Sequence, residues 1–393
     1  MKTLNQRNIK FPKGFLFGSS TAAHQIEGGD NNCDWTHWEK KPDKIVDNSS
    51  AQIAADSWNN WKEDIELLKH TNQNAYRFSI DWSRIEPEKG KIDHKAIDHY
   101  RQILLTLKKE NIKSMVTLFH FVLPSWASDQ NGFLNNKIIE DYVKYVELVG
   151  EKLGDLVDLW VTINEPQTYA LWGYVKGIWC PGRKNIFLFF KIARNLNRAH
   201  LLAYKRLRQI VSTPVGIVEN IALFEPLYDN FVDKLFTTVV NYLATFFFIA
   251  PVSKYIDFLG INYYFKVHVQ HKKPRFHFLA KRKSDTGWSI NQEGLLKVIE
   301  KNLLWRKPIY ITENGLADER DFYRPKFIQD GLFYTHKAIK KGADVRGYFY
   351  WTLMDNFEWT LGYTQKFGLF SIDRKPRPSA KIYADLIKKY SSD

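Results

Sequence analysis

Residues 158–166 read DLWVTINEP, an apolar run that ends at two polar residues and a proline. Trp, Val, Thr and Ile suit a buried strand, since β-branched and aromatic side chains pack well on a pleated sheet. Residues 308–315, PIYITENG, have the same form, and again a Glu stands beside an Asn where the run stops. The two glutamates, Glu165 and Glu313, are far apart in the chain, so only folding can bring them together.

Six further runs of this kind are separated by longer amphipathic stretches. They are FLFGSS (15–20), YRFSI (76–80), SMVTLFH (114–120), PVGIVEN (214–220), DFLGINYY (257–264) and VRGYFYWTL (345–353). Alternation of strands with helices predicts βα units and a parallel sheet. Eight such units fit a closed (β/α)8 TIM barrel, whose bare form needs about 250 residues. No linker divides the chain, so we predict one α/β domain over 1–393, with the surplus in loops.

The intervening helices are predicted from apolar residues that recur every three or four positions. Such patterns occur at Ala54, Trp58, Trp61, Ile65 and Leu68, at Ile97, Tyr100, Leu104 and Leu107, and over 137–153, 191–210, 293–305, 330–341 and 379–390.

One stretch, LFTTVVNYLATFFFIAPV (235–252), is nearly all apolar. It barely reaches the ~18 residues that a membrane span needs, and Asn241, three Thr and Pro251 interrupt it. We expect a buried or interface helix. The alternative is an exposed apolar patch over 235–251 that associates with another subunit, a membrane surface or a lipid. We also expect raised mobility or unusually exposed apolar surface there.

The chain is basic, with 57 Lys and Arg against 43 Asp and Glu. The basic residues are scattered and no recognition helix or RNA-binding motif accompanies them, so we predict no nucleic-acid partner. Cys33 and Cys180 lack metal-ligand spacing, which predicts neither a disulfide framework nor a metal site and fits a reducing compartment. The first residues lack the apolar core of a signal peptide, so we expect a cytoplasmic protein.

Polar residues gather at the ends of the predicted strands, where a barrel of this kind carries its functional groups. They are Gln25, Arg77, His120, Asn164, Glu165, Asn220, Asn262, Tyr264, Glu313 and the run 351–359. Two carboxyl groups that face one pocket suit glycoside hydrolysis, because one must be protonated and the other ionised. Each carboxyl raises the pKa of the other, and a nearby Arg77 would keep one of them ionised.

Several motifs resemble glycoside hydrolase family 1, the β-glucosidase/β-galactosidase family. They are FPKGFLFGSSTAAHQIEGG (11–29), YRFSIDWSRIEP (76–87), TINEP, DFLGINYY, YITENG and GYFYWTLMDNFEW (347–359) followed by GYTQKFGL (362–369). The resemblance runs from about Phe11 to beyond Phe370 in the order of the family. The segment between Asn220 and Asp257 is shorter than is usual there, which implies a compact member with a more open barrel on that side.

The resemblance implies that Glu165 is the general acid/base and Glu313 the nucleophile, with no cofactor and no metal. Nucleophile support falls to Arg77, Tyr264, Asn220 and Asn262, and sugar binding to Gln25, His120, Asn164, Trp351, Glu358 and Trp359. The implied activity is that of a retaining exo-β-glycosidase on a small β-glycoside, foremost a β-glucosidase, with β-galactosidase or β-fucosidase activity as further options. A membrane- or lipid-associated glycolipid β-glucosidase and a catalytically weak sugar-binding protein are the alternatives.

Overall fold

A computed structural model of the chain describes residues 9–30, 32–272 and 277–392. Eight parallel strands form a closed barrel. They are β1 (Leu16–Ser20), β2 (Ala75–Ser79), β3 (Lys113–Phe119), β4 (Leu159–Asn164), β5 (Val215–Asn220), β7 (Phe258–Asn262), β9 (Ile309–Gly315) and β10 (Val345–Trp351). Around the barrel they follow the order β1-β10-β9-β7-β5-β4-β3-β2. Two short strands, β6 (Leu223–Pro226) and β8 (Lys266–Val269), pair with each other outside the barrel.

Helices surround the barrel and connect its strands. They are α1 (Ala23–Ile26), α2 (Asp34–Glu39), α3 (Ser57–His70), α4 (Trp82–Ile85), α5 (His94–Lys109), α6 (Ser125–Ser128), α7 (Asn136–Leu153), α8 (Pro166–Ala170), α9 (Ile186–Ile210), α10 (Phe231–Asn241), α11 (Phe247–Ile249), α12 (Glu293–Asn302), α13 (Arg324–Lys340) and α14 (Pro378–Tyr390). Tighter or wider turns lie at Gly132–Leu134, Leu171–Lys176, Tyr242–Phe246, Ala250–Tyr255, Leu303–Trp305 and Trp359–Leu361.

All eight predicted barrel strands are confirmed, and the predicted helices are present, most of them with shifted starts. The helix predicted over 330–341 begins at Arg324, because a proline is tolerated in the first helical turn and Pro325 does not stop it. The helix predicted from residue 191 begins at Ile186, where the side chain of Asn185 accepts a hydrogen bond from the amide of Phe187. The β6–β8 pair was not predicted.

One buried apolar residue or more from each barrel strand fills the barrel interior. This cluster comprises Ala75, Met115, Leu159, Val161, Val218, Phe258, Tyr310 and Phe349, with Leu16 packed against it. Because all neighbouring barrel strands are parallel, their carboxyl ends meet at one rim, above this apolar plug. The polar strand ends of the sequence therefore converge on a single place.

The apolar stretch 235–252 is helical, and of the two expected forms, a buried or an interface helix, the buried one is wrong for most of its length. Among the described residues one helical segment, Phe231–Tyr255, is long and apolar enough to cross a membrane, and only 22% of its most apolar window is buried. Phe248, Ile249 and Val252 do reach the core. Leu235 and Tyr242 are 54% and 50% exposed, so the expected exposure of apolar surface over 235–251 is confirmed.

Candidate active site

The structure brings the two strand-end glutamates into one buried site. Glu165 directly follows β4, and its φ of 45° turns the chain sharply into α8, a left-handed conformation that costs about 1–2 kcal/mol outside glycine. Glu313 lies on β9, in register with Asn262 of β7. The Nδ2 of Asn262 donates to Oε1 of Glu165 at 2.6 Å, and both glutamates are less than 5% exposed. The predicted pairing of carboxyl groups is therefore present.

Glu313 is held by one charged and one neutral donor. Arg77, in the middle of β2, donates from Nη1 to Oε1 of Glu313 at 2.5 Å, and the hydroxyl of Tyr264 donates to Oε2 at 2.5 Å. Arg77 is fully buried and also donates from Nη2 to Oδ1 of Asn164 at 2.6 Å. A buried guanidinium needs a counter-charge, so this arrangement favours the ionised form of Glu313.

The surroundings separate the two carboxyl groups in acidity. Burial, reinforced by the charge of Glu313, raises the pKa of Glu165 to about 7. Burial raises the pKa of Glu313 as well, but Arg77 and Tyr264 oppose that rise. The raised pKa of Glu165 and the contact of Arg77 with Glu313 favour the proton on Glu165 and the negative charge on Glu313, an arrangement that suits glycoside hydrolysis.

Asn220 was predicted to support the nucleophile Glu313, but it contacts Glu165. Its Nδ2 donates to Oε2 of Glu165 at 3.1 Å, so its amide contacts the acid/base instead of Glu313. The reason is strand order, since β5 is the direct neighbour of β4 and β7 separates it from β9. Asn262 donates to Glu165 as well, while its backbone lies in register with Glu313 on the neighbouring strand. Tyr264 and Arg77 contact Glu313 as predicted.

The residues predicted to bind the sugar form a second group beside the carboxyl pair. The ring of His120 stacks at 6.1 Å against Trp351 and, on a similar plane, against Trp359. Burial lowers the pKa of His120 well below its usual range, which favours the neutral ring. A neutral ring can accept at Nε2 the hydrogen bond from Nδ2 of Asn164, at 3.3 Å. Gln25 donates from Nε2 to the carbonyl oxygen of Phe357 at 2.9 Å.

Several buried polar atoms of this second group are unpaired. Oε1 of Gln25, Nδ1 of His120 and Oε2 of Glu358 have no hydrogen-bond partner among the described residues. These atoms can therefore bond to a ligand without breaking a hydrogen bond within the described residues. The unpaired atoms include acceptors and a ring nitrogen, beside the apolar face of Trp351, which matches the hydroxyls and C–H face of a sugar ring.

Sequence reasoning missed Glu219 on β5. It is completely buried, and burial raises the pKa of its carboxyl well above the usual range. Next to it, Gln167 donates from Nε2 to the carbonyl oxygen of Asn220 at 2.7 Å. The only signal in the sequence is a glutamate inside the apolar run PVGIVEN.

One group of three possible metal ligands, His24, Asp30 and Cys33, lies within the described residues, with ligand atoms within 4.8 Å of one another. Each already has partners in the chain: His24 contacts Glu39, Asp30 accepts from Ser83, and Cys33 caps α2. We assign no ion to it.

A (β/α)8 barrel whose rim holds a buried pair of glutamates, one favoured as acid and one as anion, defines a glycoside hydrolase. The family model described as glycosyl hydrolase family 1 matches residues 7–254 and 249–391, nearly the whole chain. The chain therefore belongs to glycosyl hydrolase family 1.

Individual relatives agree with this assignment. β-Glucosidase A of Thermotoga maritima is 32% identical, with 96% of this chain and 98% of that protein covered. A β-glycosidase from Pyrococcus horikoshii has 36% identity and a TM-score of 0.91, covering 97% of this chain and 98% of its own. The β-glucosidase of T. maritima in complex with glucoimidazole has 30% identity and a TM-score of 0.93, covering 98% and 100%. The first alignment spans 437 positions against 393 residues here, which fits a compact member.

We expect hydrolysis to decline as the pH rises through about 7, because the acid must be protonated and the pKa of Glu165 lies there. The sign follows from burial, which raises this pKa and so keeps the proton bound at neutral pH. The pH profile of kcat/KM for an alkyl β-glucoside measures the decline. A Glu165→Gln variant should lack this alkaline limb, and a wild-type profile that stays flat well above pH 7 would contradict the assignment.

Proposed function

We propose that the protein is a retaining exo-β-glycosidase, foremost a β-glucosidase, that releases terminal non-reducing β-D-glycosyl residues. The observation that carries the proposal is the buried pair of Glu165 and Glu313, in which Asn262 donates to Glu165 and Arg77 donates to Glu313. The relatives named β-glucosidase support the choice of a glucoside as substrate.

In the first step, a carboxylate oxygen of Glu313 bonds to the anomeric carbon while the bond to the leaving oxygen breaks. The leaving oxygen keeps the bonding electrons and takes the proton of Glu165. In the second step, the ionised Glu165 removes a proton from water, whose oxygen bonds to the anomeric carbon as the ester to Glu313 breaks. Two inversions retain the configuration, a route that needs carboxyl groups about 5 Å apart.

The pocket composition supports an unphosphorylated sugar. Burial, with a further contribution from the charge of Glu313, raises the pKa of Glu358 to about 8. A protonated Glu358 can donate to one sugar hydroxyl and accept from another. A phosphate would require cationic donors, and the predicted sugar-binding residues include no Lys or Arg, while Arg77 is committed to Glu313.

Replacing Glu358 with Ala should lower kcat/KM for an aryl β-glucoside by about 10²-fold, because hydroxyl contacts that strengthen in the transition state are lost. Steady-state kinetics measure this loss. The control is Glu88→Ala, at an exposed glutamate that is distant in sequence from Glu358. A Glu358→Ala enzyme that matches the control would remove Glu358 from the sugar site.

The proposed function is tested with a panel of aryl β-glucoside, β-galactoside and β-fucoside, followed by NMR of the first product. We expect the β-glucoside to be hydrolysed with initial release of the β-anomer. Release of the α-anomer would overturn the retaining mechanism, and no hydrolysis of any member of the panel would favour the sugar-binding alternative.

For the location of the protein we propose the cytoplasm. Both cysteines are free and buried, which supports a reducing compartment.

A further inference from the structure

The first part of the helical segment Phe231–Tyr255 has its polarity reversed. A surface helix of a soluble protein normally turns its apolar stripe inward. Here the residues that face the protein include Asp233 and Thr237, both buried. The exposed face carries large apolar side chains at helical spacing: Phe231, Leu235, Val239, Tyr242 and Phe246. We call this set the outer stripe.

The inward polar residues are satisfied, so the reversed orientation is fixed by specific bonds. Asp233 accepts from the backbone amide of His271 at 2.9 Å and contacts its Nδ1 at 2.7 Å. The hydroxyl of Thr237 donates to the carbonyl oxygen of Asp233 at 2.7 Å. Phe236 packs on the cluster of Ala222 and Val267. Rotation of the helix to bury the outer stripe would break these contacts.

The beginning of α9 extends the apolar surface. Ile186, Phe187 and Phe190 are 53%, 79% and 44% exposed. The ring of Phe190 contacts that of Phe247 with centroids 5.7 Å apart, one residue after the end of the outer stripe. The exposed apolar residues of the two helices are therefore parts of one surface.

This surface is flanked by positive charge that has no acidic counterpart nearby in sequence. Residues 166–218 contain nine Lys and Arg and no Asp or Glu. Five of these basic residues are exposed around the start of α9 and form no ion pair with a described residue: Arg183, Lys184, Lys191, Arg194 and Arg198.

We infer that the outer stripe and the start of α9 bind the surface of a bilayer that contains anionic lipids. Exposed Phe, Leu and Tyr enter the boundary between headgroups and acyl chains, while the flanking Lys and Arg contact the lipid phosphates. The combination of an apolar face with a cationic border is the composition of interfacial helices.

Two other occupants fit less well. A second copy of the chain, docked through the same face, would bring the cationic borders of the two copies together. A membrane span would require the segment to leave the barrel, yet Phe248, Ile249 and Val252 are buried in the core and the segment connects β5 to β7. Binding parallel to the membrane surface keeps the barrel intact.

The test is co-sedimentation of the full-length protein with vesicles of phosphatidylcholine and phosphatidylglycerol, and with phosphatidylcholine alone. We expect binding to the anionic vesicles to be about tenfold stronger and to weaken with salt. A Phe231→Ser, Leu235→Ser, Val239→Ser variant should lose about tenfold in binding. Its control is Val46→Ser with Ile53→Ser, which removes apolar residues that are 67% and 77% exposed elsewhere.

A second pair of variants tests the charge. Lys191→Gln, Arg194→Gln and Arg198→Gln together should weaken binding to anionic vesicles, whereas Lys381→Gln, Lys388→Gln and Lys389→Gln on α14 remove the same charge and should not. All variants should keep the hydrolysis of a soluble aryl glucoside, which shows that they are folded. The inference is overturned if anionic vesicles bind no protein, or if light scattering shows a dimer that the triple Ser variant dissociates.

Discussion

Replacing Glu313 with Gln should lower kcat/KM for every β-glycoside by about 10⁴-fold or more. The amide is nearly isosteric but carries no negative charge, so it does not form the glycosyl ester on which the two-step route depends. The loss should fall on kcat for good and poor leaving groups alike, because the first step fails in both cases.

The measurement is steady-state kinetics with an aryl glucoside, combined with mass spectrometry of the protein after reaction with a slow, fluorinated glucoside. The wild-type protein should gain the mass of one glycosyl group and the Glu313→Gln variant should not. Glu319→Gln, at an exposed position close by in the chain, is the matched control. Turnover of the Glu313 variant within tenfold of the control would contradict the assignment.

The same substitution should also destabilise the fold, since it leaves the buried Arg77 guanidinium without its counter-charge. Loss of one partner of a buried ion pair costs about 3–5 kcal/mol. Thermal denaturation of the variant therefore belongs with the kinetics, to separate loss of chemistry from loss of folded protein.

Replacing Glu165 with Gln should lower kcat/KM for alkyl β-glucosides by about 10²–10⁴-fold, the usual contribution of a positioned acid. The rate of the first step should fall far less for an aryl glucoside, because its phenolate can leave without receiving a proton. The second step then limits turnover, because no base activates water. This dependence on the leaving group distinguishes an acid from a residue that merely shapes the pocket.

Azide offers an independent readout. In a Glu165→Ala variant the azide anion needs no base, so it should accelerate turnover and give a β-glycosyl azide. Glu319→Gln, at an exposed position, is the control for Glu165→Gln as well. Equal activity of the Glu165→Gln and Glu319→Gln variants, or an α-glycosyl azide, would contradict the acid/base role.

The barrel could be predicted because its strands are apolar on both faces and so appear as short continuous runs. The rim follows from parallel topology, which is why Glu165 and Glu313 could be placed together before any distance was known. The sequence pattern does not predict which side chains contact each other across the rim. Asn220 was assigned to the wrong carboxyl for that reason.

The outer stripe shows a second limit of sequence reasoning. Helical periodicity reveals that the segment after residue 230 has an apolar face, but not which way that face points. The direction is decided by the bonds of Asp233 to His271 on a distant loop and by the packing of Phe236 on β8. Similarly, β6 and β8 are too short to be recognised without each other.

The unpaired polar atoms of Gln25, His120 and Glu358 also have a consequence for evolution. Taking a polar group out of water costs about 1–3 kcal/mol unless hydrogen bonds offset it, so such side chains contribute less to the folding free energy than apolar ones would. Apolar substitutions there would strengthen the fold and remove recognition of the sugar. The rim is thus a place where selection for activity opposes selection for stability, and stabilising changes are better sought elsewhere.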